Sequence, residues 1–383
     1  AIIEDTTVGM QQRTEILKML YRDNEILIFD EPTAVLTPQE IQELMQIMKN
    51  LAAEGKSILF ITHKLGEIMQ VADRCTVLRK GKCIGTVDIR DTNPEKLSAM
   101  MVGRDVNFVV EKEEAKPGEV VLDIKDMVVA SKHHKNNAVN GVSLQVHRGE
   151  IVCIAGIDGN GQTEFVYGLS GLEPLKSGAI TMNGKDITHM PIRERLTSGM
   201  SHIPEDRHKH GLVLDYSLED NIVLQRYFEP QFTNKLGFLK RKEIRKYANR
   251  LIEQYDIRSG QGAITKARSM SGGNQQKVVV GKWLARDSRV VIFDEPTRGI
   301  DVGAKVEIYN LMNELKKQGI AVMFVSSEMP EVMGIADRII VMCDGRITGE
   351  VSAREATQDE ILTMATSFEN KSIKETEGGS KNE

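Results

Sequence analysis

The chain has 383 residues, a length that allows two or three domains, and its hydrophobic content of 40% is sufficient for packed cores. The net charge is −5, whereas nucleic-acid-binding domains usually carry an excess of basic residues, so we expect no nucleic-acid partner. No segment contains the ~20 apolar residues that a membrane-spanning helix needs. The cysteines have neither Cys-x-x-Cys nor zinc spacing, which is typical of unpaired thiols in a reducing compartment.

Strand-like and helical patterns alternate along most of the chain. The candidates for buried parallel strands are the short apolar runs at 26–29, 57–61, 150–155, 290–293 and 321–325. Helical patterns cover 39–51 and 304–315, while 119–129 and 141–146 favour an antiparallel β-layer. Parallel strands that alternate with helices predict an α/β fold with helices packed on a mostly parallel sheet.

A long-period repeat runs through the chain. Asp30 and Asp294 each begin the sequence Asp-Glu-Pro-Thr and lie 264 residues apart, and the same offset relates Gly9 to Gly273. A constant offset over many residues predicts two homologous domains, because 264 residues is the size of one α/β domain.

The repeat also predicts where the domains begin and end. We expect the C-terminal part of a first domain at 1–104, a charged linker at 105–118, a complete second domain at 119–367 and a disordered tail at 368–383. Because the first copy covers only the last third of a domain and the chain opens on Ala1, we expect an N-terminally truncated protein.

A glycine-rich loop follows the strand at 150–155 and leads into a helix, which is the context of a phosphate-binding P-loop. The predicted nucleotide-binding residues are Gly156, Asp158, Gly159, Asn160, Gly161, Gln162 and Thr163. Gln162 occupies the position of the usual lysine and cannot supply its positive charge, whereas the Thr163 hydroxyl can bind Mg²⁺. A tight turn without a ligand is the alternative for this loop taken alone.

Each Asp-Glu-Pro-Thr sequence follows an apolar strand, which brings two carboxylates to the ligand-binding edge of the sheet. Asp30 and Asp294 are the predicted Mg²⁺ ligands, Glu31 is the predicted catalytic residue that polarises water, and Glu295 is its counterpart. Solvated acids at a strand end are the alternative, but two copies at a fixed offset argue against it.

A third motif opens a predicted helix at Ser271-Gly272-Gly273-Asn274-Gln275-Gln276, where free N–H groups and a hydroxyl can bind phosphate. This segment resembles the signature motif of ABC ATPases, and Gly299-Ile300-Asp301 resembles their D-loop. The tandem arrangement resembles the double ATPase subunits of simple-sugar and nucleoside importers. Glu205, in Pro204-Glu205-Asp206-Arg207, is similar to that family's variant of the Q-loop.

The resemblance implies a P-loop ABC ATPase fold with a mostly parallel core sheet, an antiparallel β-layer and a helical subdomain within 190–261. It implies a motor subunit that binds and hydrolyses ATP with Mg²⁺ at the cytoplasmic face of the cell membrane. Its partners would be separate permease subunits and, indirectly, an extracytoplasmic substrate-binding protein.

The resemblance also implies two unequal composite sites, because each ATP is held by one domain and by the signature of the other. His63 matches the switch histidine, so Glu31 and His63 with the signature at Ser271 would form the hydrolytic site, whose P-loop would precede residue 1. The other site combines the loop at Gly156 with Ser327 in the histidine position, and we expect slow turnover there.

Two other functions remain open. The first is a tandem ABC ATPase that acts on ribosomes or DNA, which the short linker disfavours. The second is a non-hydrolysing nucleotide-binding regulator, which Gln162 and Ser327 suggest and which Glu31 and His63 disfavour. The stretch at 207–214 leans toward the nucleoside branch, but the sequence does not fix the transported substrate.

Overall fold

The computed structural model describes residues 8–22, 24–33, 36, 38–62, 64–79, 81–102, 115–131, 136–157, 159–298, 300 and 302–366. His63 and Asp158, most of the predicted linker and the predicted tail lie outside the described residues. The chain divides into two compact units. One comprises Ala1–Phe108 with Asp301–Gly303, and the other comprises Val109–Ile300 with Ala304–Glu383.

The first unit contains two small sheets and four helices among its described residues. Its elements are α1 (Val8–Tyr21), β1 (Ile26–Asp30), α2 (Pro38–Ala53), β2 (Ser57–Ile61), α3 (Leu65–Val71), β3 (Arg74–Arg79), β4 (Lys82–Asp88) and α4 (Pro94–Val102). Strands β1 and β2 pair in parallel, with Asp30 opposite Ile61, and β3 and β4 form an antiparallel hairpin. Leu27 and Phe29 on one face of β1 share a small core with Met45 of α2.

The second unit is larger and begins with an antiparallel layer. Its first half contains β5 (Val120–Ala130), β6 (Asn137–His147), β7 (Ile151–Ala155), α5 (Gln162–Ser170), β8 (Leu175–Met182), β9 (Lys185–Asp186), α6 (Ile192–Thr197), β10 (Met200–Ile203), α7 (Leu218–Val223) and α8 (Arg241–Gln254). Its second half contains α9 (Gly272–Leu284), β11 (Val290–Asp294), α10 (Val302–Lys317), β12 (Ala321–Ser326), α11 (Met329–Ile335), β13 (Arg338–Cys343), β14 (Arg346–Ser352) and α12 (Gln358–Ala365).

Six strands of the second unit form its central sheet in the order β10-β11-β12-β7-β13-β14, and only β14 is antiparallel to its neighbour. Strands β7, β11 and β12 are buried along their whole length because the sheet is covered on both faces. Val291 and Phe293 face a core built largely from helices, while Val290 and Ile292 face the four-stranded layer β6-β5-β8-β9. This alternation follows from the two-residue period of a strand. The predicted ABC ATPase fold is confirmed in these features.

The two units share one sequence of elements. Every helix and strand of the first unit described above begins 264 residues before a counterpart in the second, from α1 and α9 to α4 and α12. The correspondence extends to an irregular register, which falls between Val77 and Leu78 in one hairpin and between Val341 and Met342 in the other.

No helix among the described residues is both long enough and apolar enough to cross a membrane.

Candidate nucleotide site

The glycine-rich loop connects β7 to α5 and rests on the antiparallel layer. Gly161 adopts the left-handed conformation, with φ of 98°, immediately before the first residue of α5. A side chain at this position would be strained, and it would also collide with the Ala138 carbonyl of β6. The loop therefore requires glycine here and leads its backbone into the N-terminus of a helix, where free N–H groups favour an anion.

Two polar side chains of the loop are engaged by the protein itself. Gln162 is only 7% exposed and donates a hydrogen bond to the Ile157 carbonyl at 3.2 Å. Asn160 donates to the carbonyls of Met342 at 3.2 Å and Ala365 at 3.1 Å, which tie the loop to β13 and to the end of α12. In this conformation the Gln162 side chain folds back onto the loop, whereas the Asn160 side chain holds the loop against β13 and α12.

The glutamates of both Asp-Glu-Pro-Thr sequences have strained backbones. Glu31 has a φ of 45° and Glu295 a φ of 42°, which non-glycine residues rarely adopt. Their N–H groups donate to the carbonyls of Ile61 at 2.9 Å and Val325 at 3.1 Å, at the ends of the neighbouring parallel strands. Strain of this kind costs about 1–3 kcal/mol per residue and concentrates at functional sites.

Asp294 has a buried carboxylate oxygen without a hydrogen-bond partner. The residue is 1% exposed, and neither its Oδ2 atom nor the buried Nε2 atom of His202, 3.7 Å away, forms a hydrogen bond within the described part of the chain. A buried polar group of this kind is costly, and carboxylate oxygen is a donor that Mg²⁺ prefers. Asp294 therefore fits a Mg²⁺ ion. Its counterpart Asp30 ends β1 with an exposed side chain.

No set of three or more His, Cys, Asp or Glu side chains among the described residues is arranged to hold a metal ion.

Acidic residues from separate segments surround Tyr167, on the helix that follows the glycine loop. Burial raises the pKa of Tyr167 to about 12, and the negative charges of Asp294, Glu205 and Asp206 contribute to this increase in pKa. The loop helix, the strand end and the predicted Q-loop segment therefore lie near one another. Glu205 forms an ion pair with Arg298, which follows the second Asp-Glu-Pro-Thr sequence.

A buried carboxylate behind the site was not among the residues predicted from the sequence. Glu331 of α11 accepts hydrogen bonds from Thr297 at 2.6 and 2.8 Å, Ser326 at 2.9 Å, Tyr309 at 2.6 Å and Lys305 at 3.2 Å. It thus connects the end of β12 and the Asp-Glu-Pro-Thr loop to α10. Beside this cluster, the Ser327 N–H donates to Glu295 Oε1 at 2.9 Å, so the residue in the histidine position holds the glutamate through its backbone.

The first unit has a weaker version of this arrangement. Glu67, the counterpart of Glu331, accepts a hydrogen bond from Thr62 at 3.2 Å. Its Oε1 atom has no hydrogen-bond partner in the described part of the chain, although Lys64 Nζ lies 3.6 Å away. The positions of Lys305 and Tyr309 are occupied by Ile41 and Met45, which cannot donate hydrogen bonds.

The predicted signature begins α9. Asn274 donates to the Ser271 hydroxyl at 2.9 Å and accepts from the Arg258 N–H at 2.9 Å, while Gly272 and Gly273 form the first residues of the helix. Gln276 donates to the Pro296 carbonyl at 3.1 Å, which links this helix to the Asp-Glu-Pro-Thr loop of the same unit.

Comparison with known proteins identifies the family. The ABC transporter family model matches residues 139–298. The chain is 49% identical to the nucleoside import ATP-binding protein NupA of Lactococcus lactis subsp. cremoris, over 94% of this chain and 71% of that protein. It is 50% identical to the guanosine import ATP-binding protein NupO of Bacillus subtilis, over 94% of this chain and 70% of that protein.

The chain belongs to the ATP-binding subunits of ABC transporters. It is also 41% identical to the ribose import ATP-binding protein RbsA of Bacillus licheniformis, over 94% of this chain and 71% of that protein. Among solved structures, a nucleotide-free ATP-binding cassette of an ABC transporter matches with a TM-score of 0.52 at 20% identity, over 63% of this chain and 94% of that one. At that identity the structural match supports the fold alone. The chain is an ABC-type ATPase, and its family binds nucleotide.

Within this ABC ATPase, the second unit brings most of the residues predicted for it into one sheet edge and its adjoining loops. Gly156, Gly159 and Gly161 lie on the β7–α5 connection, and Thr163 lies in the first turn of α5. Asp294 and Glu295 lie at the end of β11, and Glu205 follows β10. Glu331 and His202 escaped prediction because their partners are distant in sequence or belong to a neighbouring strand, so that no local motif marks them.

Proposed function

We propose that the chain is the ATP-driven motor subunit of an importer for nucleosides or simple sugars. The relatives at 49% and 50% identity are named for nucleoside and guanosine import, and the relative at 41% is named for ribose import. Nucleosides are therefore the preferred substrate class. The subunit would act at the cytoplasmic face of the membrane on separate permease subunits, which in turn receive substrate from an extracytoplasmic binding protein.

The second unit would bind ATP through the loop from Gly156 to Thr163. The observation that carries this proposal is the left-handed Gly161 at the N-terminus of α5, in a unit whose β11 ends in Asp294, a buried carboxylate with one oxygen that forms no hydrogen bond in the described part of the chain. Thr163 and Asp294 would hold Mg²⁺ in this unit, and Asp30 would do so for the first. The ion neutralises phosphate charge when bound.

The two units would differ in turnover. In the second, Gln162 supplies no charge to the phosphates and Ser327 offers only its backbone N–H to Glu295. In the second unit, the water that attacks the terminal phosphate would be polarised by Glu295 without the help of a switch histidine, so we expect slow hydrolysis.

In the first unit, Glu31 would polarise the attacking water and His63 would serve as the switch histidine. The signature at Ser271, Gly272, Gly273 and Asn274 would contact phosphate through its helix N-terminus.

Gly159→Ala tests the proposed nucleotide loop, and Gly184→Ala is its matched control. Both glycines have a positive φ, 93° and 75°, and at both an added methyl group would meet no protein atom within 4 Å. Only Gly159 lies in the loop, where a methyl group would obstruct close approach of phosphate to the backbone. Titration with ATP and Mg²⁺ should give an affinity about tenfold weaker for Gly159→Ala, equivalent to ~1.4 kcal/mol. Equal affinities in the two variants would contradict the assignment.

A non-hydrolysing regulator is the second candidate, and the engagement of Gln162 with its own loop favours it. The two functions differ in the role of Glu31, which is needed for hydrolysis by a motor and not for nucleotide sensing.

A further inference from the structure

An exposed apolar turn lies between α7 and α8 of the second unit. Leu236 is 82% exposed and Phe238 is 69% exposed, whereas no other large apolar side chain described in this unit exceeds 49%. The two residues are separated by one position on the same turn, and large exposed apolar patches are a feature of interaction surfaces. We name the segment 235–239 the apolar tip.

The apolar tip is held in a defined conformation. The Asn234 side-chain oxygen accepts hydrogen bonds from the N–H groups of Leu236 and Phe238, both at 2.9 Å. Thr233 pairs with Leu239 in an antiparallel bridge, and the fully buried Phe232 anchors the segment in the core. The two side chains are thus presented on a structured turn, so little conformational entropy is lost when they are buried by a partner.

Basic residues are frequent in the tip and along α8. Residues 235–250 contain seven Lys or Arg and one Glu, in a chain whose net charge is −5. Arg241 and Arg245 are paired with Asp220 and Glu219. Lys235, Lys242, Lys246 and Arg250 are exposed and have no hydrogen-bond or ion-pair partner in the described part of the chain, although Arg250 lies over the Tyr247 ring.

Most of the charge in the first turn of α8 opposes the helix dipole, and Glu243 is the exception. Arg241 and Lys242 lie in the first turn, and Lys240 precedes it without a side-chain capping bond. Cations at a helix N-terminus are unfavourable by a few tenths of a kcal/mol or more, because the partial charge there is already positive. The opposite face carries the buried Ile244 and Leu251. Packing in the core therefore explains the apolar residues of that face, but it does not explain why the other face is basic.

We propose that the apolar tip and the basic face of α8 form a contact site for an anionic lipid surface. Apolar side chains that enter the headgroup region, together with nearby lysines that attract anionic lipids, are the two elements of interfacial membrane binding. A protein partner fits less well, because a stable interface needs roughly 800 Å² on each side and the tip offers two apolar side chains. The site would orient a motor subunit that its permease brings to the membrane, and in that respect the inference rests on the proposed function.

Vesicle flotation of the full 383-residue chain tests the site. The chain should float with vesicles of equimolar phosphatidylglycerol and phosphatidylcholine, and not with pure phosphatidylcholine, and added salt should weaken the binding. Lys242→Gln with Lys246→Gln should lower the affinity about thirtyfold, at about 1 kcal/mol per charge. Leu236→Ser with Phe238→Ser should lower it about tenfold or more.

Matched controls separate the site from general stickiness. Ile264→Ser removes another exposed apolar side chain of this unit, and Lys185→Gln removes another exposed lysine; neither should change flotation. In Phe238→Trp, the new indole should show a blue-shifted emission on binding, while the native Trp283 is already buried. These variants alter exposed side chains, so circular dichroism should show unchanged folding.

Two outcomes would overturn the inference. The first is that the chain does not float with the anionic vesicles, or floats equally with both vesicle types. The apolar tip would then be assigned to a protein partner. The other is equal binding by the tip variants and the controls. ATP binding by the same preparation is a separate measurement, so a chain that binds ATP but not vesicles contradicts only this inference. A chain that binds vesicles but not ATP contradicts the proposed function.

Discussion

The carboxylate of Glu331 receives hydrogen bonds from Thr297, Ser326, Tyr309 and Lys305, and these five residues join α10, α11, the end of β12 and the loop after β11. The charges of Glu331 and Glu328 raise the pKa of Lys305 despite its burial. A buried ion pair of this kind contributes little relative to an apolar pair, but removal of one partner leaves an uncompensated group.

Glu331→Ala should therefore lower the free energy of unfolding by about 3 kcal/mol or more, because it leaves several buried donors without an acceptor. Glu328→Ala is the control, since Glu328 is more exposed and Lys305 retains Glu331. Its loss should be about 1 kcal/mol or less. The urea midpoints of the two variants measure the difference, and similar midpoints would show that Glu331 does not hold the cluster together.

The role of Glu331 could not be predicted from the sequence. Its donors lie up to 34 residues away, and each is an ordinary Thr, Ser, Tyr or Lys within its own element. The placement of Gly161 between β7 and α5, and of Asp294 and Glu295 at the end of β11, was predictable because a glycine-rich loop and a strand-end carboxylate have local signatures. The engagement of Gln162 and Asn160 with carbonyls was not predictable, since it depends on how the loop meets β13 and α12.

Helix α9 carries a buried lysine without a carboxylate bonded to it in the described part of the chain. Its N-terminus carries the signature, and near its other end Lys282 is 2% exposed and donates a hydrogen bond to the Gly211 carbonyl. No carboxylate is bonded to this amine within the described residues, and burial lowers the pKa of Lys282 to about 8. The helix therefore carries a charge at neutral pH that folding disfavours.

Lys282→Met should remove this penalty. The ordinary pKa of 10.5 applies in the unfolded chain, so between pH 8 and 10.5 the unfolded state binds more protons than the folded state. The free energy of unfolding of the unsubstituted chain should therefore gain up to about 3 kcal/mol from this group as pH rises through that window. The Met variant should lack this contribution and be more stable at pH 7. Parallel pH profiles of unfolding in the two proteins would contradict the burial of a charged amine.

The bounds of the strands and helices were more predictable than the strands and layers that they pair with or pack against. The strands at Ser57–Ile61 and Ala321–Ser326 and the helix Val302–Lys317 lie within a few residues of their predicted positions, because apolar runs and helical periodicity are local. The pairing of β7 between β12 and β13 is not a local property, and neither is the packing of the antiparallel layer against the sheet.

The two units differ in how deeply their matching strands β1 and β11 are buried. Ile26 and Ile28 of β1 are exposed, whereas their counterparts Val290 and Ile292 are buried against the antiparallel layer. The sequences of the two strands are similarly apolar, so the difference arises from what covers them and not from their own residues.

The identity of the nucleotide that the chain retains shows whether the second unit binds ATP through a loop without lysine and hydrolyses it slowly. The chain is incubated with Mg²⁺ and ATP radiolabelled at the γ-phosphate, freed of unbound nucleotide, and the bound species is identified over time. We predict that ATP stays bound with its γ-phosphate intact, and that Glu295→Gln changes nothing. Failure to retain nucleotide, or conversion to ADP that Glu295→Gln abolishes, would contradict the account.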